Sequence, residues 1–197
     1  MSWRTIHLAD VPATPWRNGG GMTRELVAWP TQEIWRWRMS VAEVTASGPF
    51  SRFEGITRWF AVLKGDGVVL NVHTPSDSDA AGATEHRLTA TDPALCFDGG
   101  AATHCNLLSG PTQDFNLMVH DDCLPARMVR VLGDHTVLAG ATKTIAVYAV
   151  DSGARVRFND EDLFVPAGTL VWRTLTKAAT VHINCPHALW MEWSASV

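Results

Sequence analysis

Short runs in which apolar and polar residues alternate, bounded by Gly, Pro, Asp and Ser, dominate this chain. In residues 35–41, "WRWRMSV", every odd position is apolar and every even position is polar. Because successive side chains of a β-strand point to opposite faces, this run predicts a strand. We expect Trp35 and Trp37 to be buried on one face. Arg38 and Ser40 should then lie on the other face.

The same pattern predicts many more short strands. "RWFAVLKGDGVVLNV" and "KTIAVYAVDSGARVRF" each predict a hairpin, with turns at Gly65–Gly67 and Asp151–Gly153, because glycine adopts a positive φ at little cost. Further strands are predicted in "LFVPAGTLVW", "HCNLLSGPTQDFNLMVH", "TVHINC" and "LWMEW", and the polar residues 73–86 predict a loop. No segment has the periodicity of a three-turn amphipathic helix. Many short strands are typical of a β-sandwich or barrel.

The strand pattern also predicts two domains. The turns at Gly65–Gly67 and Asp151–Gly153 each precede a proline-marked turn, which predicts two similar β-barrels. The stretch "DDCLPAR" near residues 120–125 has the composition of a crossing between them. We therefore predict an N-terminal barrel over residues 1–122 and a smaller C-terminal barrel over residues 123–197.

Composition narrows the class of protein. The chain has 197 residues, of which 46% are apolar, so a sizeable core can form. No apolar run approaches the roughly 18 residues that a membrane helix needs. The first residues carry Arg4 and Asp10 and lack the apolar segment of a signal peptide, and the four cysteines form no CxxC pair. We expect a cytoplasmic protein with reduced thiols and no membrane partner.

Charge is distributed unevenly, although the net charge is only −4. Residues 1–64 hold eight Lys and Arg against five Asp and Glu, whereas residues 65–197 hold eight against fifteen. Without a dense basic patch interleaved with aromatic residues, nucleic acid is not the expected partner. The basic N-terminal part favours a small anionic ligand there. Scattered solvated arginines explain the charge equally well.

The stretch "PWRNGGGMTRE", residues 15–25, is the most unusual motif. Its spacing matches neither a P-loop nor a dinucleotide-binding fingerprint, and a linker so early would separate only one short strand. A tight backbone corner remains, in which Asn18 tolerates a left-handed conformation. After the corner, Thr23 and Glu25 point to one face of a strand. They either reach a pocket or are simply solvated.

Familiar catalytic and metal-binding motifs are missing. The eight histidines form no HxH, HExxH or Cys/His cluster, so we predict a site without metal. There is no GxSxG motif. In "DFNLM", Asp114 and Asn116 share one face of a strand and alternate with Phe115 and Leu117. Such polar positions face solvent in most sheets, but in a barrel mouth they would line a pocket.

Three blocks, "PWRNGGGMTRE", "WRMSVAEVTASGPFSRFEGITR" and "LLSGPTQDFNLM", together resemble the HutD/Ves family, bicupin proteins associated with bacterial histidine utilisation. The resemblance runs over most of the chain. It implies an all-β fold, a cupin-type double-stranded β-helix duplicated in one chain, often as a homodimer. It also implies a pocket without established enzymatic activity, thought to bind a pathway intermediate such as urocanate or formylglutamate and to limit flux.

Carried over by position, the resemblance implies a set of ligand-binding residues. They are Asn18, Thr23, Glu25, Arg38, Ser40, Ser51, Arg58, Asp114 and Asn116. Metal-dependent cupins carry an HxH motif with a later Glu and His, and this chain lacks that set. The resemblance therefore implies neither a metal nor any other cofactor, and metal-dependent cupin chemistry should not be inferred from the fold.

Three functions remain open from the sequence. The first is a non-catalytic regulator that binds a small carboxylate metabolite through Arg38 and Ser40, because a guanidinium group offers a planar pair of donors. The second is a metal-free isomerase or lyase in which Glu25 acts as a general base, with its pKa raised by partial burial. The third is a protein-interaction module. We expect the first, and with it no catalytic residue.

Overall fold

The computed structural model describes residues 2–73 and 82–195, and most of them lie in β-strands. The strands are β1 (Arg4–His7), β2 (Thr14–Pro15), β3 (Gly21–Pro30), β4 (Trp35–Val44), β5 (Gly48–Pro49), β6 (Ile56–Lys64), β7 (Val68–His73), β8 (Thr84–Leu88), β9 (Leu95–Asp98), β10 (Ala102–Leu107), β11 (Thr112–His120), β12 (Ala126–Ala139), β13 (Lys143–Ala149), β14 (Ala154–Phe158), β15 (Glu161–Val165), β16 (Thr169–Leu175) and β17 (Ala179–Ser194). Two single-turn 3-10 helices cover Leu8–Asp10 and Asp121–Cys123. The predicted all-β class is confirmed. Over the described ranges, no helix is long and apolar enough to cross a membrane.

The chain divides into two compact units. The N-terminal unit is Pro12–Asp121, and the C-terminal unit combines Asp122–Val197 with Met1–Val11. The sequence prediction placed the first residues in the N-terminal barrel. In the structure β1 instead pairs with β16, with Arg4 opposite Trp172, so this strand completes a sheet of the C-terminal unit. Local patterns do not reveal this long-range pairing, because any sheet edge can accept a short N-terminal strand.

The N-terminal unit consists of two sheets around one core. The larger sheet has the strand order β2-β3-β4-β11-β6-β9, and the smaller has the order β5-β10-β7-β8. Val44, Phe60, Leu70 and Cys105 are among the buried residues that fill the space between the sheets. Each buried apolar side chain of this size contributes roughly 1.5–3 kcal/mol relative to exposure.

The C-terminal unit repeats this pairing scheme. Strand β13 pairs with β16 and with the second half of β17, just as β6 pairs with β9 and β11. Strand β14 pairs with β15 and with the first half of β17, just as β7 pairs with β8 and β10. The predicted duplication is therefore confirmed. The segments "TVHINC" and "LWMEW" differ from the prediction in forming one continuous strand, β17.

The two predicted hairpins are wrong, although their turns are in the predicted places. Strands β6 and β7 flank Gly65–Gly67 but belong to different sheets, and β13 and β14 flank Asp151–Gly153 without pairing with each other. A chain that crosses between two sheets has the same alternation and the same glycine-rich turn as a hairpin, so the sequence cannot separate the two. Gly65 and Gly67 do adopt positive φ, at 97° and 108°. Of the predicted loop 73–86, residues 74–81 lie outside the described residues, and Thr84 already begins β8.

Candidate ligand-binding site

A cavity of about 810 Å³ opens at one end of the N-terminal unit. Seven of the nine residues predicted from the sequence line it: Asn18, Thr23, Arg38, Ser40, Ser51, Arg58 and Asn116. Trp16, which the family resemblance implied to be a wall or anchor residue, also lines the cavity. Sequence reasoning missed the other aromatic and basic residues of the wall, which include Arg17, Phe50, Phe53 and Phe60. These residues lie within or beside the quoted motifs, but only polar side chains were predicted there as ligand contacts.

The polar floor of the cavity comes from three adjacent strands of the larger sheet. Ser40 of β4 lies opposite Asn116 of β11, and Asn116 lies opposite Phe60 of β6. One step further along, Met118 lies opposite both Arg38 and Arg58. Because side chains alternate between the two faces of a strand, these even-numbered positions all point into the same space. The sheet register therefore brings together residues that are distant in sequence.

Arg58 is fixed at the floor of the cavity. Its side chain is 7% exposed, and its Nε and Nη2 atoms donate to the Oδ1 atom of Asn116 at 2.9 and 2.6 Å. Its guanidinium carbon lies 4.6 Å from the ring centre of Phe50 and 5.4 Å from that of Phe97. In the described residues the Nη1 atom of Arg58 makes no hydrogen bond, so its donors remain available. Asn116 acts here as a positioning group.

Arg38 is the second guanidinium group in the wall. Its Nη1 atom lies 3.5 Å from Oε2 of Glu25, and its Nη2 atom donates to the sulfur of Met118 at 3.3 Å. Its Nε atom is buried and has no hydrogen-bond partner among the described residues. Because this atom has almost no accessible surface, it does not offer a hydrogen bond to a ligand in the cavity.

The face predicted for Trp35 is wrong. The strand β4 and the burial of Trp37, which stacks on Trp29 at 6.2 Å, are as expected. The ring of Trp35, however, lies 5.1 Å from the guanidinium carbon of Arg38 and is only partly buried. The register between β3 and β4 shifts between Trp29 and Pro30. Such an irregularity breaks strict alternation at the strand end, which a period-two pattern cannot anticipate.

The site has an excess of positive charge. Burial, followed by the neighbouring Arg38 charge, lowers the pKa of Arg58. A guanidinium group nevertheless stays protonated at neutral pH. Glu25 pairs with Arg38 and is not one of the cavity-lining residues. The two like charges can coexist near one cavity because aromatic faces and polar groups surround them. The arrangement is suited to an anion that both guanidinium groups could bind.

Asp114 is buried in the N-terminal unit and is not one of the residues that line the cavity. It shares a face of β11 with Asn116 but is 0% exposed, and Phe115 and Leu117 on the opposite face are also 0% exposed. The hydroxyl of Thr112 donates to its Oδ2 atom at 2.8 Å. Burial raises the pKa of Asp114 to about 7, against the opposing effects of Thr112 and Arg58. Asp114 therefore does not line the cavity, and its interaction with Arg58 is electrostatic.

The glycine stretch forms a tight corner between β2 and β3. The Trp16 amide donates to the Gly21 carbonyl at 2.9 Å, and the Gly19 amide donates back to the Trp16 carbonyl at 3.1 Å. Asn18 accepts from the Gly20 amide at 3.1 Å through Oδ1. Gly19 has a φ of 73°, the left-handed conformation expected of such a corner.

The corner also fixes one side of the cavity mouth. The indole Nε1 atom of Trp16 donates to the hydroxyl oxygen of Thr23 at 2.7 Å. The Trp16 ring in turn packs edge-on against Phe50, with 6.3 Å between ring centres. Asn18 and Thr23 thus form hydrogen bonds that hold the local backbone and side chains, and both also line the cavity.

In the described ranges no group of three or more His, Cys, Asp or Glu side chains is arranged to hold a metal ion.

The family model HutD matches residues 8–191. The chain belongs to the HutD family. A curated relative, an uncharacterized 21.2 kDa protein in the hutC 3′ region of Pseudomonas putida, is 34% identical over 153 residues, or 77% of this chain and 75% of the relative. Protein Ves of Cronobacter sakazakii is 32% identical over 164 residues, or 83% of each chain. The predicted HutD/Ves membership is confirmed.

Solved structures agree with this assignment. A conserved protein of unknown function from Pseudomonas aeruginosa is 27% identical with a TM-score of 0.84, and HutD from Pseudomonas fluorescens is 25% identical with a TM-score of 0.78. Each alignment covers 98% of both chains. Oxalate decarboxylase from Lactobacillus farciminis, at 10% identity and a TM-score of 0.66, shares the fold alone. The fold is therefore the cupin-type double-stranded β-helix in duplicate.

We predict that Gly21→Ala destabilises the protein, whereas Gly20→Ala is tolerated. A Cβ at Gly21 would clash with the Glu43 carbonyl oxygen and press on the Trp16 ring. A Cβ at Gly20 would meet nothing closer than 3.4 Å. We expect Gly21→Ala to lower the free energy of unfolding by about 1–3 kcal/mol and Gly20→Ala by less than about 0.5 kcal/mol in urea denaturation. Equal losses in the two variants would contradict this account of the corner.

We predict that Asp114→Asn raises stability at pH 8 and has much less effect at pH 5. The raised pKa means that the folded chain keeps a proton which the unfolded chain releases near pH 4, so wild-type stability falls as pH rises from about 4 to about 7. Asparagine does not titrate. Urea denaturation should show a gain about 1–3 kcal/mol larger at pH 8 than at pH 5. The exposed control Asp66→Asn should show no such difference, and a gain independent of pH in Asp114→Asn would contradict the prediction.

Proposed function

We propose that this protein is a non-catalytic regulator of histidine utilisation that binds a small carboxylate metabolite in the metal-free cavity of its N-terminal unit. The family relation to histidine utilisation is established by the HutD match and by a relative in a hutC region. Urocanate and formylglutamate are the intermediates that we expect to bind. We further propose that the protein acts as a homodimer in the cytoplasm.

The observation that carries the proposal is that one buried and one partly buried guanidinium group line the same cavity. In the described residues the Nη1 atom of Arg58 makes no hydrogen bond, and Arg38 lies in the same wall. A planar guanidinium binds a carboxylate through two parallel hydrogen bonds, so the unused donors match this ligand class. The hydroxyls of Ser40 and Ser51 line the same space and can add further donors.

The size and the apolar wall of the cavity fit a small organic anion. A volume of about 810 Å³ falls within the range of roughly 300–1,000 Å³ that is usual for small-molecule sites. Phe50, Phe53 and Trp16 supply flat apolar surface beside the guanidinium groups. This surface would pack against the conjugated system of urocanate or the methylene chain of formylglutamate, while the floor binds the carboxylate.

The enzyme alternative gains less support. A general base must reach the substrate, and Glu25 lies against Arg38 instead of lining the cavity. Asp114 is fully buried, does not line the cavity and would not touch a substrate. The interaction-module alternative does not explain why the Nη1 donors of the buried Arg58 are unused in the described residues. Product analysis after incubation with each candidate ligand separates binding from turnover.

We predict that Arg38→Ala weakens carboxylate binding with little loss of stability. Loss of a charged hydrogen bond should cost about 1.5–3 kcal/mol, or roughly a 10- to 150-fold rise in Kd measured by isothermal titration calorimetry. Arg38→Lys should have a Kd between those of wild type and Arg38→Ala, because lysine keeps the charge but loses the planar pair of donors. Arg87→Ala, on an exposed part of β8, is the matched control and should bind like wild type.

Three outcomes decide between the functions. A thermal shift with urocanate or formylglutamate, without any change in the ligand, supports the regulator. Chemical conversion of the ligand would instead support the enzyme hypothesis. If neither compound shifts the melting temperature, or if Arg38→Ala and Arg87→Ala bind alike, the proposed site is wrong and the interaction module is favoured.

A further inference from the structure

Asp114 is a buried ionisable group two residues from Asn116 on β11, and it does not line the cavity. Its Oδ2 atom accepts from Thr112, but its Oδ1 atom is fully buried and has no hydrogen-bond partner in the described part of the chain. A buried carboxylate oxygen without a donor is costly, so the ionised form has little local support. The carboxyl group is thus held where a modest change in nearby charge can alter its protonation.

The elements packed around Asp114 contribute few charges. Its register partners on β4 and β6 are Ala42 and Val62, both apolar. From β6, Arg58 acts on Asp114 as a favourable positive charge. From β10, the thiol of Cys105 has a pKa raised to about 12, chiefly by burial, and is neutral at physiological pH.

Charges further away act through Arg58. Arg38 of β4 repels Arg58, and Arg38 is in turn paired with Glu25 of β3. No histidine is among the described residues that line the cavity. The positive potential at Asp114 therefore depends mainly on Arg58, the same group whose spare donors face the ligand.

We propose that binding of an anion at Arg38 and Arg58 is coupled to proton uptake by the carboxyl group of Asp114. This inference rests on the proposed function of the cavity. An anion bound by Arg58 offsets the positive charge that favours ionised Asp114, and the carboxylate then takes a proton from solvent. The ligand adds one negative charge at this position, the proton adds one positive charge, and no other bond changes.

The direction of the pH dependence follows from this coupling. In the free protein, burial places the pKa of Asp114 at about 7, and an anion beside Arg58 raises it further. Between these two values the bound protein holds a proton that the free protein has released. Binding should therefore weaken as the pH rises from 6 to 8, by roughly fivefold for a pKa increase of one unit.

Calorimetric titration with formylglutamate tests the coupling directly. Both of its carboxylates remain ionised above pH 6, whereas urocanate carries an imidazole that itself titrates in this range. Titrations at pH 6, 7 and 8, each in two phosphate-free buffers that titrate near that pH and differ in ionisation enthalpy, give both Kd and the number of protons taken up. Wild type and the exposed control Asp66→Asn should take up a fraction of a proton at pH 7–8. Asp114→Asn should take up none and should bind at pH 8 as tightly as wild type does at pH 6.

Each result separates the coupling from the binding site itself. Formylglutamate binding without proton uptake, or with the same pH dependence in Asp114→Asn and wild type, would overturn the coupling and leave the proposed function intact. Failure of both formylglutamate and urocanate to bind at any pH would overturn both. If Asp114→Asn does not fold, carbon-13 NMR of the wild-type Asp114 carboxyl provides the test. Its titration midpoint should rise when formylglutamate is added, and an unchanged midpoint would refute the coupling.

Discussion

A guanidinium group held inside the end of an apolar barrel is the interaction on which the site depends. Burying a charge is expensive unless polar groups surround it, and Arg58 meets this need with the amide oxygen of Asn116 and with aromatic faces. The amide is neutral, so it orients the guanidinium group without cancelling its charge. The remaining charge and donors make the cavity receptive to an anion.

The C-terminal unit also contains a buried arginine, but there the charge is paired with a carboxylate. There Arg173, 8% exposed, donates from Nη1 to both carboxylate oxygens of Glu161 at 3.0 Å and lies against the rings of Phe158 and Trp3. Here an acid neutralises the buried charge, and a tryptophan from the start of the chain covers it. The two units thus hold their buried arginines differently: Arg58 of β6 is bound to an amide, whereas Arg173 of β16, the strand that corresponds to β9, is paired with a carboxylate.

Much of the fold could be predicted from the sequence, because strand alternation and glycine-rich turns are local properties. The strand over residues 35–44 and the corner at residues 18–21 are where their patterns place them. The assignment of Gly65–Gly67 to a hairpin failed because crossing between sheets has the same local pattern as pairing within one. The site list came from family resemblance, and the structure brings seven of its nine residues to one cavity.

By itself the sequence determined the all-β class, the strands, the corner and the family, since each is encoded in short segments or in their order. Only the tertiary structure decided which side chains meet. The register of β4, β11 and β6 brings Asn116 close to Arg38 and Arg58, each of which is more than fifty residues away in the sequence. It also buries Asp114, which was expected to line the cavity. Burial and long-range pairing set the charge of that carboxyl group, and both are properties of the packed sheets, which no local segment specifies.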